Sequence, residues 1–184
     1  AIVLVSLASA VAQTDYVQGV EKWRSDHEVN LKKETGWLTV AGLFWLKDGI
    51  NTVGAGENFD VRLTDNFKPG KFGEIDFKNG AATLKVEKGV EAQSDGKIVS
   101  TIELISDEKG KPTEIRTGTQ TFFLIKREER FGIRLKDSNS EALRSFKGEH
   151  WFPIDESYKV TARFEAFPEP KRSRSRMFSA ETSR

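Results

Sequence analysis

The sequence predicts an all-β domain, mainly an antiparallel β-sandwich, preceded by one N-terminal amphipathic α-helix. Three observations carry this expectation. Asn79-Gly80 and Asp95-Gly96 are tight-turn dipeptides set between short runs of alternating polarity. Such runs recur along the chain without helices between them, which argues for a sandwich or barrel and against a parallel α/β sheet. Only one stretch, about residues 15–33, repeats its apolar residues at helical spacing. With 37% apolar residues, thirteen Phe and four Trp, the chain has the material for one core. Its 31% charged residues make it too polar for a membrane protein, and its 37% apolar residues too apolar for a disordered one.

Residues 1–12, AIVLVSLASAVA, form an apolar run too short to span a bilayer. Ala10 and Ala12 put small side chains where a signal peptidase reads them. A partial signal peptide is expected here, and with it a periplasmic or secreted protein. A buried N-terminal strand is the competing reading. No Met or basic segment precedes the run, so the chain is expected to begin inside its leader.

The helix is expected from about Asp15 to Lys33, within a segment spanning residues 13–35. Tyr16, Val20, Trp23, His27 and Leu31 fall on one face. Asp15 with Gln18 fits a capping box, and Gly36 ends the helix. A β domain over residues 36–170 follows. Its first segment, Trp37–Leu46, has Thr39 as its one polar residue, so a strand covered on both faces is expected. Ile75 and Phe77 alternate with Glu74, Asp76 and Lys78, and Leu84 and Val86 continue the pattern beyond Asn79-Gly80. Residues 108–111 read as a turn. Thr119–Arg127 and Phe131–Asp137 read as a hairpin around Glu128-Glu129-Arg130, and Tyr158–Phe167 as a last strand closed by Pro168 and Pro170.

The formal net charge of +1 is unevenly distributed: residues 171–184 hold five Lys/Arg and one acid, leaving a mildly acidic body and a basic tail. Nothing in that body resembles a nucleic-acid surface. The absence of cysteine removes disulfide and thiolate chemistry. Two histidines without metal-ligand spacing, and Asp60, Asp65 and Asp76 scattered, argue against zinc and calcium sites, and no cofactor is expected. No Gly-x-Ser-x-Gly motif is present for a serine nucleophile.

Six residues stand out for their own chemistry. Arg134 is suited to clamping a carboxylate or phosphate, with Asp137 at the end of the same strand. Trp37 and Trp45 fall on one side of an extended strand and form a possible stacking platform. His27 is a possible general base, although a packed histidine on the helix stripe is the commoner outcome. His150, next to Glu149 and Trp151, reads as a loop histidine.

Larger blocks carry a family resemblance. Trp23-Arg24 with His27 and Leu31, then Gly36-Trp37-Leu38-Thr39-Val40-Ala41-Gly42-Leu43-Phe44-Trp45-Leu46, then Gly49 and Val53-Gly54, then Phe122–Arg127, Gly132-Ile133-Arg134, Asp137, Phe146-Lys147-Gly148 and Phe152-Pro153 follow one order. In this the sequence resembles the bacterial and archaeal family catalogued as domain of unknown function 1684, from about Tyr16 to Pro170. The resemblance implies a second half with Asp-Phe-Asn and cysteine-bearing segments that this chain does not contain, and its end, SRSRMFSAETSR, departs from the pattern. Residues 53–63 with Gly73–Phe77 are also similar to the opening of forkhead-associated domains, which implies a sandwich. Ala55 stands where those domains carry their phosphothreonine-binding Arg.

The function expected from these residues is a non-catalytic module binding an unidentified small-molecule or extracellular ligand through Arg24, His27, Trp37, Trp45, Arg134 and Asp137. The alternative is a hydrolase completed by the missing C-terminal half.

Overall fold

The computed structural model describes residues 3–68 and 70–166, with side chains from residue 15 onward. The basic tail, Phe167 and the side chains of the expected leader lie outside the described residues. The chain divides into two compact units, residues 18–151 and residues 1–17 with 152–184.

Helix α1 spans Val3–Lys32. Asp15 and Gln18 therefore sit inside it, and the expected capping box does not form. Ala, Leu, Val and Ser sustain a helix through the apolar run, and no breaker intervenes before Gly36. That run is helical from Val3, not a strand.

Among the described residues of the larger unit eleven strands form two sheets. The first, ordered β1-β11-β10-β9-β6-β7, is built from β1 Val40–Trp45, β6 Gln93–Ser94, β7 Lys97–Ile98, β9 Glu114–Thr117, β10 Gln120–Arg127 and β11 Arg130–Asp137. The second, ordered β3-β2-β4-β5-β8, contains β2 Gly49–Ala55, β3 Val61–Leu63, β4 Gly70–Lys78, β5 Ala81–Val86 and β8 Thr101–Glu103. The expected sandwich is therefore present. Every pairing is antiparallel except β2 with β3.

The alternating strands bury the face that their pattern marks. Ile75, Phe77, Leu84 and Val86 from one sheet meet Ile115, Phe122, Leu124, Ile133 and Leu135 from the other. Phe72 and Phe122 meet edge to face across the core at 5.5 Å. Both turn dipeptides take positive φ, at Asn79 and Gly80 and at Asp95 and Gly96.

Two expected strands are corrected. Trp37–Thr39 is a 3₁₀ turn, and only Val40–Trp45 is extended. Ala41 and Leu43 of β1 are exposed, so its apolar run is not covered on both faces, and the strand lies at a sheet edge. Residues 159–166 hold no regular structure, and Val160 and Phe164 are exposed. Those residues belong to the smaller unit, where Lys159 Nζ lies 5.4 Å from the Tyr16 ring.

The parallel β2–β3 pair is joined by a link of only a few residues, and Asp60 anchors it. Its carboxylate accepts from the Thr52 amide (3.0 Å), the Thr52 hydroxyl (2.9 Å) and Lys47 Nζ (3.1 Å). The Thr52 amide does most to lower the Asp60 pKa from 3.8 to about 2. A folded value below the unfolded one gives stability that is complete above the unfolded pKa and fades as pH falls toward the folded one. Asp60→Ala is expected to cost about 1–2 kcal/mol at neutral pH, allowing for solvent screening. The deficit should shrink toward about pH 3 in paired urea melts, and an unchanging deficit would remove the ionic account.

Candidate anion-binding face

The β10–β11 hairpin sets the site by its register. Thr121 faces Lys136, Phe123 faces Arg134 and Ile125 faces Gly132, so these six share the sheet surface turned away from the core. The opposite parity, Phe122, Leu124, Ile133 and Leu135, is buried. A two-residue turn with Glu128 at φ 55° closes the hairpin.

On that outer surface a pocket of about 310 Å³ opens between the Thr35–Trp37 segment and the hairpin. Trp37, Val40, Phe123 and Ile125 give it apolar walls, and Arg127, Arg134, Lys136 and Asp107 give it charge. The Arg134 guanidinium lies 5.7 Å from the Trp37 ring centre. Its Nε is buried and has no hydrogen-bond partner among the described residues.

The neighbouring charges are committed elsewhere. Asp107 accepts from the Lys126 amide (3.0 Å) and from Arg127 (2.8 Å). Burial works to raise the Asp107 pKa, but the amide and Arg127, with a smaller pull from Arg134, hold it below the ordinary carboxylate range. Lys136 Nζ donates to the Thr35 carbonyl at 2.7 Å, which ties the end of the α1 connection to β11. Arg134 is left as the group with spare donor capacity facing the pocket.

Of the residues singled out in the sequence, Arg134 and Trp37 come together here. Trp45 does not join Trp37 in a platform. The 3₁₀ turn and the register shift between Val40 and Gly42 break the straight strand that such a platform needs. Trp45 instead packs over Gly132, where an added Cβ would lie 2.9 Å from the indole, and the Arg130 guanidinium caps the ring at 4.0 Å.

Asp137 turns the other way. It is fully buried and accepts from the Thr64 hydroxyl, Asn66 Nδ2 (2.6 Å) and the Asn139 amide (2.8 Å). Its distance of three residues from Arg134 puts the two on opposite faces.

Arg24 and His27 belong to a separate cluster on α1. His27 stacks on Trp23 at 5.2 Å, Trp151 meets both rings edge-on, and Arg24 lies 5.3 Å from the Trp151 ring. Glu28 accepts from the Glu149 amide (3.0 Å) and Trp151 Nε1 (3.2 Å). The Glu149 amide, with the indole next, holds its pKa below the usual range. This cluster fastens the 146–151 segment to the helix, and His150 is exposed beside it.

Phe123, Arg127, Lys136 and Asp107 are not among the site residues expected from the sequence. The first three were recoverable, because the hairpin turn fixes the parity that puts them beside Arg134. Asp107 reaches the site through tertiary folding and carries no local signal.

No protein-family model matches the chain, and no curated protein matches it. Among solved structures it is similar to the FhaA FHA domain complexed with the intracellular domain of Rv3910, at 17% identity over 51% of this chain and 97% of that one, with TM-score 0.35. A second similar structure comes from a structural and functional analysis of phosphothreonine-dependent FHA domain interactions, at 17% identity over 51% and 92%, also with TM-score 0.35.

Among the described residues no helix is long and apolar enough to cross a membrane, which says nothing of β-barrels. No group of three or more His, Asp or Glu stands together as metal ligands among them.

Proposed function

We propose that the protein is a non-catalytic binding module that receives an oxyanion of its ligand on Arg134, with the ligand's apolar part against Trp37 and Phe123. The observation that carries this reading is the buried Arg134 Nε, unpaired at a pocket whose one carboxylate is already occupied. A guanidinium left with an open donor beside aromatic walls suits a carboxylate or phosphate attached to an apolar body.

Phenylpropionate and inorganic phosphate are the probes, read by tryptophan fluorescence and melting temperature. A saturable shift with phenylpropionate, weakened at least about tenfold in Arg134→Gln, is expected. Phosphate alone should bind more weakly, because it leaves the aromatic wall unused. An Arg134→Gln protein that binds phenylpropionate like the parent would overturn the reading. Arg134-dependent turnover of ester, phosphate or glycoside panels would replace it with a hydrolase.

Export and membership of the family catalogued as domain of unknown function 1684 belong to the same proposal. Both are supported by residue pattern: the 1–12 run for export, and the Gly36–Leu46 block for the family. N-terminal sequencing of protein recovered from outside the cytoplasm should begin at Gln13. Recovery of an uncleaved chain from the cytoplasmic fraction would count against export.

A further inference from the structure

We propose that β1 is a docking edge for an acidic, extended peptide that adds a strand to the six-stranded sheet. This goes beyond the Arg134 pocket and uses other residues.

The backbone geometry comes first. Leu46 N–H donates to the Phe131 carbonyl at 2.9 Å, and the register runs Phe44↔Ile133, Leu43↔Arg134 and Trp45↔Gly132. In an antiparallel ladder, directly opposed residues alternate between hydrogen-bonded and non-hydrogen-bonded pairs. Leu46 and Phe44 therefore spend their backbone groups on β11. The N–H and C=O of Leu43 and Trp45 point away from β11, toward the open edge, where no strand among the described residues pairs with them.

The edge also lacks ordinary protection. Exposed edge strands are usually short, charged or proline-bearing. The other edge strands here, β3, β7 and β8, have two or three residues, and each carries a charged one. β1 has six residues, Val-Ala-Gly-Leu-Phe-Trp, and no charge. Its register shift lies at the Val40 end and leaves Leu43–Trp45 regular. A groove of about 460 Å³ runs beside it, between Ala41–Phe44 and Arg62–Thr64 of the opposite sheet.

Charge selects the occupant. Arg62 lies 5.8 Å from the Phe44 ring and Arg130 lies 4.0 Å from the Trp45 ring, and neither has a carboxylate partner among the described residues. Phe44 and Trp45 are consecutive and project to opposite faces, so the two guanidiniums flank the edge from both sides. Alternating side chains of an added strand then reach one arginine and the other. Pairing β1 with β1 of a second copy would bring like charges together, which disfavours self-association.

The test uses a capped peptide repeating Glu-Glu-Val, whose consecutive Glu residues project to both faces of an added strand, and the same peptide with Gln in place of Glu. Binding of the Glu peptide is expected to slow amide exchange of Leu43 and Trp45 by about tenfold or more, with no such change at Phe44. The Gln peptide should bind about tenfold more weakly.

Leu43→Pro provides the second arm. The lost N–H makes no bond to any described residue, Gly42 accepts the restriction before proline, and the ring blocks an incoming strand. This variant should keep the parent melting temperature and lose peptide binding. It also leaves every residue lining the Arg134 pocket in place, so phenylpropionate binding should persist. Unchanged exchange at Leu43 and Trp45 in saturating Glu peptide would overturn the proposal, as would equal binding of the Gln peptide. Concentration-dependent protection of those amides without peptide would overturn it in favour of a dimer.

Discussion

Asp137→Ala is expected to lower stability by about 3 kcal/mol, as the loss of a buried, charged acceptor with three donors does. The carboxylate lies at the end of β11 and gathers Thr64 and Asn66 from the β3–β4 connection with the Asn139 amide from its own. Gln120 supports the same junction, its Oε1 accepting from the Thr64 amide at 2.9 Å. Alanine leaves those donors without their acceptor and unpins one sheet from the other. Asp137→Asn keeps the volume and part of the bonding, so it should lose roughly half as much.

The ionisation has a definite sign. Burial works to raise the Asp137 pKa, but the hydrogen bonds from Thr64, Asn66 and Asn139 outweigh it and the folded value is lowered. Its contribution is therefore present above the unfolded carboxylate pKa and disappears as pH falls through the lower folded one. Urea melts across that acid range should show the parent converging on Asp137→Asn. Folded Asp137→Asn should still bind phenylpropionate, because Arg134 lies on the other face. Loss of binding with retained stability would reassign Asp137 from the core to the site.

The fold was largely legible because strands and tight turns announce themselves locally. Asn79-Gly80 takes the positive φ values such dipeptides favour, and Ile75, Phe77, Leu84 and Val86 turn inward as their alternation requires. What misled was apolarity without period. Trp37–Leu46 reads as a strand buried on both faces, yet it is a turn followed by an edge strand whose rings carry arginines. A guanidinium over an indole lets an aromatic sit near solvent, and nothing in residues 37–46 records where Arg130 and Arg134 will come from. Tyr158–Phe167 failed for a related reason: alternation alone does not make a strand where no neighbour offers a ladder. The site was half legible. Arg134 and Trp37 were recognisable by residue type, whereas Asp137 was paired with Arg134 by sequence proximity although three residues along a strand reverse the face.

Gly73→Ala is expected to be the most damaging single-methyl change within β4, costing about 3 kcal/mol or more. Gly73 sits buried in β4, opposed to Val53 on one side and Val86 on the other. An added Cβ would run into the Lys85 carbonyl oxygen and lie 3.1 Å from Val86 Cα. Both are backbone atoms of β5, so no rotamer relieves the overlap and the two strands must part. Phe72, next in sequence, is fully buried against Phe122, so the displacement reaches the centre of the core. Gly42→Ala is the contrasting case. The close neighbours of its added Cβ are atoms of the Phe44 ring, and a ring can swing where a ladder cannot. That change should cost about 1 kcal/mol while moving Phe44 from beneath Arg62, which weakens Glu-peptide binding at the β1 edge more than it weakens the fold. Thermal melts of the two variants decide between backbone and side-chain crowding. Equal losses would show that the close approach of β4 to β5 is not what demands glycine at position 73.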